Sequence, residues 1–208
     1  MRDYLLTQLN SALRRPGMYG GEVAIRLFLD AVAFADDREH AWGEELQTLR
    51  TRHASLSTGV RGAFQQLWGD GNEGAVASVY AEIAHRHRWL RLDRSLSQAE
   101  YEEMRHTSTT WCDRDRYLSE IIAIFGPPSM LLGGSNPNYP KTLAYTTDHP
   151  EDALLCFHLW NGSAPASPPT ADPVHAEPVL LAIRHDGGQF NAGFTFTPAG
   201  TARRELAT

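Results

Sequence analysis

Apolar residues recur at helical spacing up to Gly126-Pro127-Pro128 and at strand spacing after it. Leu6, Leu9 and Leu13 stand at i, i+3 and i+7, which predicts a first amphipathic helix ended by Arg14-Arg15-Pro16-Gly17. A second helix starts near Glu22 with the stripe Ile25, Phe28, Leu29 and Val32, leaving Arg26, Asp30 and Asp37 to point away. A third covers roughly Trp42 to Arg52. Thr58 to Trp68 reads as helical although Gly59 and Gly62 each cost about 1 kcal/mol relative to alanine. After Gly69-Asp70-Gly71-Asn72, the residues Val76, Val79, Tyr80 and Ile83 share a helical face that His87 and Leu90 would continue. Ser97-Gln98-Ala99-Glu100 has the form in which hydroxyl and carboxylate each satisfy an orphan backbone N–H, so a helix should follow. Thr110-Trp111-Cys112-Asp113 repeats that form ahead of Leu118, Ile121, Ile122 and Phe125, and Gly126 then supplies the stop.

From Ser129 the pattern is short apolar runs between turn residues: Met130 to Leu132, Thr142 to Thr147, Leu154 to Trp160, Val179 to His185 and Phe190 to Thr197. Asp186-Gly187-Gly188 between the last two is a hairpin signal. In the final run Phe190, Ala192, Phe194 and Phe196 would face one way and Asn191, Gly193 and Thr195 the other, giving one buried and one wet side. The predicted fold is α+β: a helical region over 1–126, then an antiparallel sheet of four or five strands over 127–208, the two sharing one core or folding as two units. A loop over 161–177 carries Pro165, Pro168, Pro169 and Pro173.

A chain of 208 residues can bury roughly 70% of its unfolded surface and needs no covalent staple. Formal charge is −6, about −3 on each side of Gly126, so neither half has the basic excess that nucleic acid demands. Cys112 and Cys156 are too few for a disulfide framework and lack metal-ligand spacing. No apolar run approaches the ~20 residues of a membrane span, and the first residues do not read as a signal peptide. A cytoplasmic protein with no cofactor, no metal and no membrane partner is the expectation.

Three groups of residues suggest chemistry and then lack part of what it needs. Gly133-Gly134-Ser135 before Lys141-Thr142 looks like a phosphate loop, but Pro140 and a following strand remove the helix N-terminus that would hold phosphate. His85 and His87 are turned by about 200° on a helix and cannot share one ion. Cys156, His158, Asp148 and His149, with Lys141, could contribute to a catalytic group; Cys156 and His158 share strand parity, about 7 Å apart at Cα.

Arg15-Pro16-Gly17-Met18-Tyr19-Gly20 resembles the Arg-Pro-Gly-Met-Tyr segment near the amino terminus of gyrase-type ATPase domains. That family also carries an Asp-x-Gly-x-Gly turn; Asp70-Gly71-Asn72-Glu73-Gly74 has different spacing and precedes a helix, so ATPase activity is not implied. Over roughly its first forty residues the chain is similar to small bacterial proteins that begin with a helix, this corner and a second amphipathic helix. Some of those resemble toxin-immunity or antitoxin factors, although Gly20-Gly21-Glu22 departs from their Ile-Gly continuation. Those proteins have no assigned activity; the preferred expectation is a non-catalytic binding protein of the immunity type that occludes another bacterial protein, and the acidic charge would favour a basic one.

The expected contact surface is the Pro-stiffened segment Asn136 to Lys141, with Tyr139 and Lys141, together with Trp160 and Asn161 at the end of the next strand. Arg14, Arg15 and Tyr19 form a second patch. Two other classes remain open. One is a small hydrolase or transferase using His158, Asp148, Lys141 or Cys156 between helices and sheet, which requires those side chains to converge. The other is a small-molecule sensor with a cavity lined by Phe190, Phe194 and Phe196.

Overall fold

The computed structural model describes residues 1–69, 72–134, 136, 138–162, 173–185 and 188–207. Asp70, Gly71, Ser135 and Pro137, the loop prolines Pro165, Pro168 and Pro169, and the hairpin turn expected at Asp186-Gly187 lie outside the described residues.

Eight helices precede the sheet among the described residues: α1 (Arg2–Arg14), α2 (Pro16–Tyr19), α3 (Gly21–Ala35), α4 (Glu39–Thr51), α5 (Gly59–Trp68), α6 (Glu73–Arg86), α7 (Gln98–Trp111) and α8 (Leu118–Phe125). The sheet runs β1 (Met130–Leu132), β2 (Lys141–Tyr145), β3 (Leu155–Trp160), β4 (Val179–Arg184) and β5 (Phe194–Phe196), in that spatial order and antiparallel throughout. A last helix, α9 (Pro198–Glu205), packs back on β4. The fold is α+β, helices first and an antiparallel meander second.

Strand register sorts the side chains into two cores. One face presents Met130, Leu132, Ala144, Cys156 and Ala182 to Leu9, Leu13, Ile25, Leu29, Phe64, Tyr80 and Ile83 of the first six helices. The other presents Leu143, Tyr145, Phe157, Leu180 and Ile183 to Tyr101, Met104, Trp111 and Ile121 of α7 and α8. The sheet is therefore a middle layer, and β2 and β4 are buried along their whole length. α6 lies at the centre, buried all round from Gly74 to His85, which is why its face reads as apolar with small residues between.

Several local expectations change. Pro16 does not merely end α1; it opens the one-turn helix α2, where a proline at the first position loses no intrahelical bond. α6 stops at Arg86, so Leu90 lies beyond it and His87 caps it, its ring stacked on Trp89 at 4.6 Å. Trp111 belongs to α7, and the cap of α8 lies later, where the Glu120 carboxylate accepts the Tyr117 N–H at 3.0 Å.

The final apolar run is not one strand. Phe190–Gly193 forms a 3₁₀ turn, and only Phe194–Phe196 pairs with β4. The turn draws Phe190 and Phe194 to 5.1 Å from each other and against Phe64, so aromatic packing overrides the period-two pattern. α9 starts at Thr197, whose Oγ1 accepts the Gly200 N–H at 3.2 Å, with Pro198 at the first helical position. Gly200 is required there, because a Cβ would stand 1.9 Å from the Leu181 carbonyl oxygen.

Candidate functional site

The Pro-Gly corner and the β1–β2 connection lie more than a hundred residues apart in sequence and meet around one open cavity of about 780 Å³. Its walls are Arg15, Pro16, Gly17 and Met18 on one side and Gly133, Gly134, Asn136, Tyr139 and Pro140 on the other. The start of α6, Asn72 to Gly74, and Arg61 of α5 close the remaining side.

Backbone contacts build this arrangement. The amides of Gly133 and Gly134 both donate to the Arg14 carbonyl at 3.1 Å, which ties the connection to the last turn of α1. That carbonyl is one of the orphan acceptors a helix end leaves over. The start of α6 is seated by its own cap, in which Asn72 Oδ1 accepts from Gly74 N at 2.8 Å. Gly74 then lies against β1, where a Cβ would sit 2.8 Å from the Leu132 carbonyl oxygen.

The described residues of this connection, Asn136 and 138–140, are held from within. Asn136 Oδ1 accepts the Asn138 N–H at 3.0 Å, and the Asn136 carbonyl accepts the Tyr139 N–H at 3.3 Å and the Lys141 ammonium. Tyr139 stands in solvent on this connection at 60% exposure, and Met18, whose amide donates to the Arg15 carbonyl at 3.0 Å on α2, stands in solvent at 77%. Arg15 is exposed beside them and has no ion-pair partner among the described residues. Below the corner, Glu73 takes the Arg61 guanidinium on one oxygen, while its other oxygen is buried and without a hydrogen bond among the described residues.

Of the residues expected at the contact surface, Arg15 and Tyr139 come together on this cavity. Tyr19 ends α2 and is 37% exposed, outside the cavity wall. Arg14 faces the other way and binds Asp93 at 3.1 Å and the Arg91 carbonyl at 2.6 Å. The β2–β3 register, with Lys141 opposite Leu159, places Trp160 at the end of the strand beside the Pro140 end of the loop. There Trp160 is half-buried beneath the Arg203 guanidinium, 4.3 Å from its ring.

Lys141 and Asn161 lie in the interior. Lys141 is 3% exposed, and burial lowers its pKa. Asn161 is buried, its carboxamide bonded to both backbone groups of His175 at 3.0 Å. Both satisfy loop carbonyls and amides, so residue types that suit recognition are spent on local structure. Sequence reasoning missed Met18 as exposed surface, and Asn72, Glu73, Gly74 and Arg61 altogether. The cap signal at Asn72-Glu73 could have located α6, but not what α6 faces.

The four side chains considered for catalysis do not converge. Thr142 pairs with His158 and Ala144 with Cys156, so Lys141 projects from the opposite face of the sheet. His158 Nδ1 shares a hydrogen bond with Thr142 Oγ1 at 3.0 Å, and its ring is enclosed by Phe64, Trp68 and Phe194. The Cys156 sulfur is 3.4 Å from the Arg184 guanidinium and fully buried, with burial pushing its thiol up. A protonated thiol without access is a poor nucleophile. Asp148 lies in the exposed turn after β2. Phe190 and Phe194, proposed to line a sensor cavity, pack on Phe64 instead. Among the described residues no group of three or more His, Cys, Asp or Glu could hold a metal ion, and no helix is long and apolar enough to cross a membrane.

No family model, no curated protein and no solved structure matches this chain.

Proposed function

We propose that this chain is a non-catalytic, cytoplasmic binding protein that holds another bacterial protein at the corner cavity, in the manner of an immunity-type inhibitor. The observation that carries the reading is the exposure of Met18 and Tyr139 on backbone that is already hydrogen-bonded in place. Exposed apolar groups on ordered backbone bind with little ordering entropy, and such anchors dominate interface energetics. The cavity between them has room for one or two partner side chains, with Arg15 and Asn136 supplying polar contacts at its rim. The net charge of −6 would speed encounter with a basic partner.

The test is capture from lysate of the native cell with the full chain and with Met18→Ala plus Tyr139→Ala, then titration of the purified captured protein. One protein should be recovered in a one-to-one complex, with its activity blocked. The double variant should keep its melting temperature and lose at least roughly tenfold in affinity. Recovery of no stoichiometric protein, or equal affinity for the folded double variant, overturns the reading.

A further inference from the structure

Helix α3 buries Ile25, Leu29, Val32 and Ala33, yet its outward side is apolar as well. Val23, Leu27 and Phe34 are 70%, 62% and 72% exposed, and with Asp30 they occupy positions four, three and four residues apart, which is one line along the helix. The two ends of that line differ in shape. At the N-terminal end a groove of about 560 Å³ runs between α3 and the 57–61 segment, walled by Val23, Arg26 and Leu27 on one side and Ser57, Thr58 and Arg61 on the other. At the other end Phe34 stands free, about 16 Å further along the axis at 1.5 Å per residue. Arg26 has no carboxylate within ion-pair distance among the described residues, and exposed Asp30 accepts only the Trp42 indole N–H.

We propose that a second copy of this chain docks on this face, with the two α3 helices antiparallel about a two-fold axis passing between Leu27 and Asp30. That arrangement sets Val23 opposite Phe34 of the other copy, so each phenylalanine enters the other's groove against Val23 and Leu27. It also brings each Arg26 within one helical turn of the other Asp30. A parallel pairing would set phenylalanine on phenylalanine and arginine on arginine, leaving both grooves empty. The same patch serves both copies, so the contact closes on itself and yields a dimer rather than a fibre. An aromatic ring buried against Val23 and Leu27 beside a guanidinium is the kind of anchor that carries most of an interface's energy. Arg61 borders both this groove and the corner cavity, whereas Val23, Leu27 and Asp30 line only the groove.

Light scattering on the full chain through a micromolar dilution series tests this. The protein should elute as a concentration-dependent dimer. Phe34→Asp, at an exposed position that leaves the fold intact, should weaken association by roughly tenfold or more. Arg26→Asp should weaken it too, and Arg26→Asp combined with Asp30→Arg should restore it. A monomer at every concentration, a dimer indifferent to Phe34→Asp, an open series of oligomers, or a charge swap that fails to rescue would each overturn the proposal.

Discussion

His158 shows how much one residue depends on its cage. Its ring lies 5.5 Å from Phe64, 5.6 Å from Trp68 and 5.8 Å from Phe194, and Nε2 has no hydrogen-bond partner among the described residues. Burial, and then the positive charge of Arg184, push its pKa well below 6.5. Burial lowers His85 and His185 in the same direction. An imidazole that stays neutral in the folded state binds fewer protons there than in the unfolded chain. Stability is therefore complete above 6.5 and falls as pH drops below it towards the depressed folded value. Each such group contributes a slope of up to about 1.4 kcal/mol per pH unit. Urea unfolding at a series of pH values between neutrality and mild acid should show the loss. His158→Gln, which keeps a polar group for Thr142, should make the slope shallower; an unchanged slope would place the sensitivity elsewhere.

At the scale of elements, α9 rests on a cap and a close approach rather than on an apolar stripe. Thr197 Oγ1 donates to the Leu180 carbonyl at 2.6 Å and accepts from Gly200 N, while Gly200 lies flat on Leu181. Thr197→Val should cost about 1–2 kcal/mol in urea unfolding. Gly200→Ala should go further and lift α9 from the sheet, read as fast amide exchange over 198–205 with the other helices still protected. The same dependence explains why α9 was not legible in the sequence. Pro198-Ala199-Gly200-Thr201-Ala202-Arg203-Arg204-Glu205 has no repeating apolar face, whereas α1, α3 and α6 announce themselves through Leu6/Leu9/Leu13, Ile25/Leu29/Val32 and Val76/Tyr80/Ile83. The site was half legible. Arg15 and Tyr139 stood out by residue type, but the bonds that join them run through the Arg14 carbonyl and glycine amides, which every residue possesses. Lys141 and Asn161 misled because a polar side chain at a strand end serves the neighbouring backbone as readily as it serves a partner.

Across the whole molecule, the helical layer and the sheet are joined by charge as well as by apolar packing. Arg184 on β4 meets Glu82 on α6 with both side chains under 10% exposed, and Arg184 also donates to the Ser78 carbonyl at 3.3 Å. Glu82 takes a second cation from Arg86 at 3.1 Å, and Arg86 passes on to Glu45 at 2.7 Å. Removing one partner leaves a charge stranded in the interior, so Arg184→Met should cost about 3–5 kcal/mol. Glu82→Leu with Arg184→Met should recover most of that loss, because an apolar pair of similar volume needs no desolvated charge. Additive losses in chemical unfolding would contradict this coupling.

The pair of hydrogen bonds that the Gly133 and Gly134 amides donate to the Arg14 carbonyl also sets an order of events during synthesis. The amino-terminal wall of the cavity leaves the ribosome early, and its opposite wall does not exist until the first strand has been translated. A fragment ending anywhere before Gly133 therefore carries the Pro-Gly corner without its counterpart. Only a nascent chain that has reached the sheet can complete the cavity.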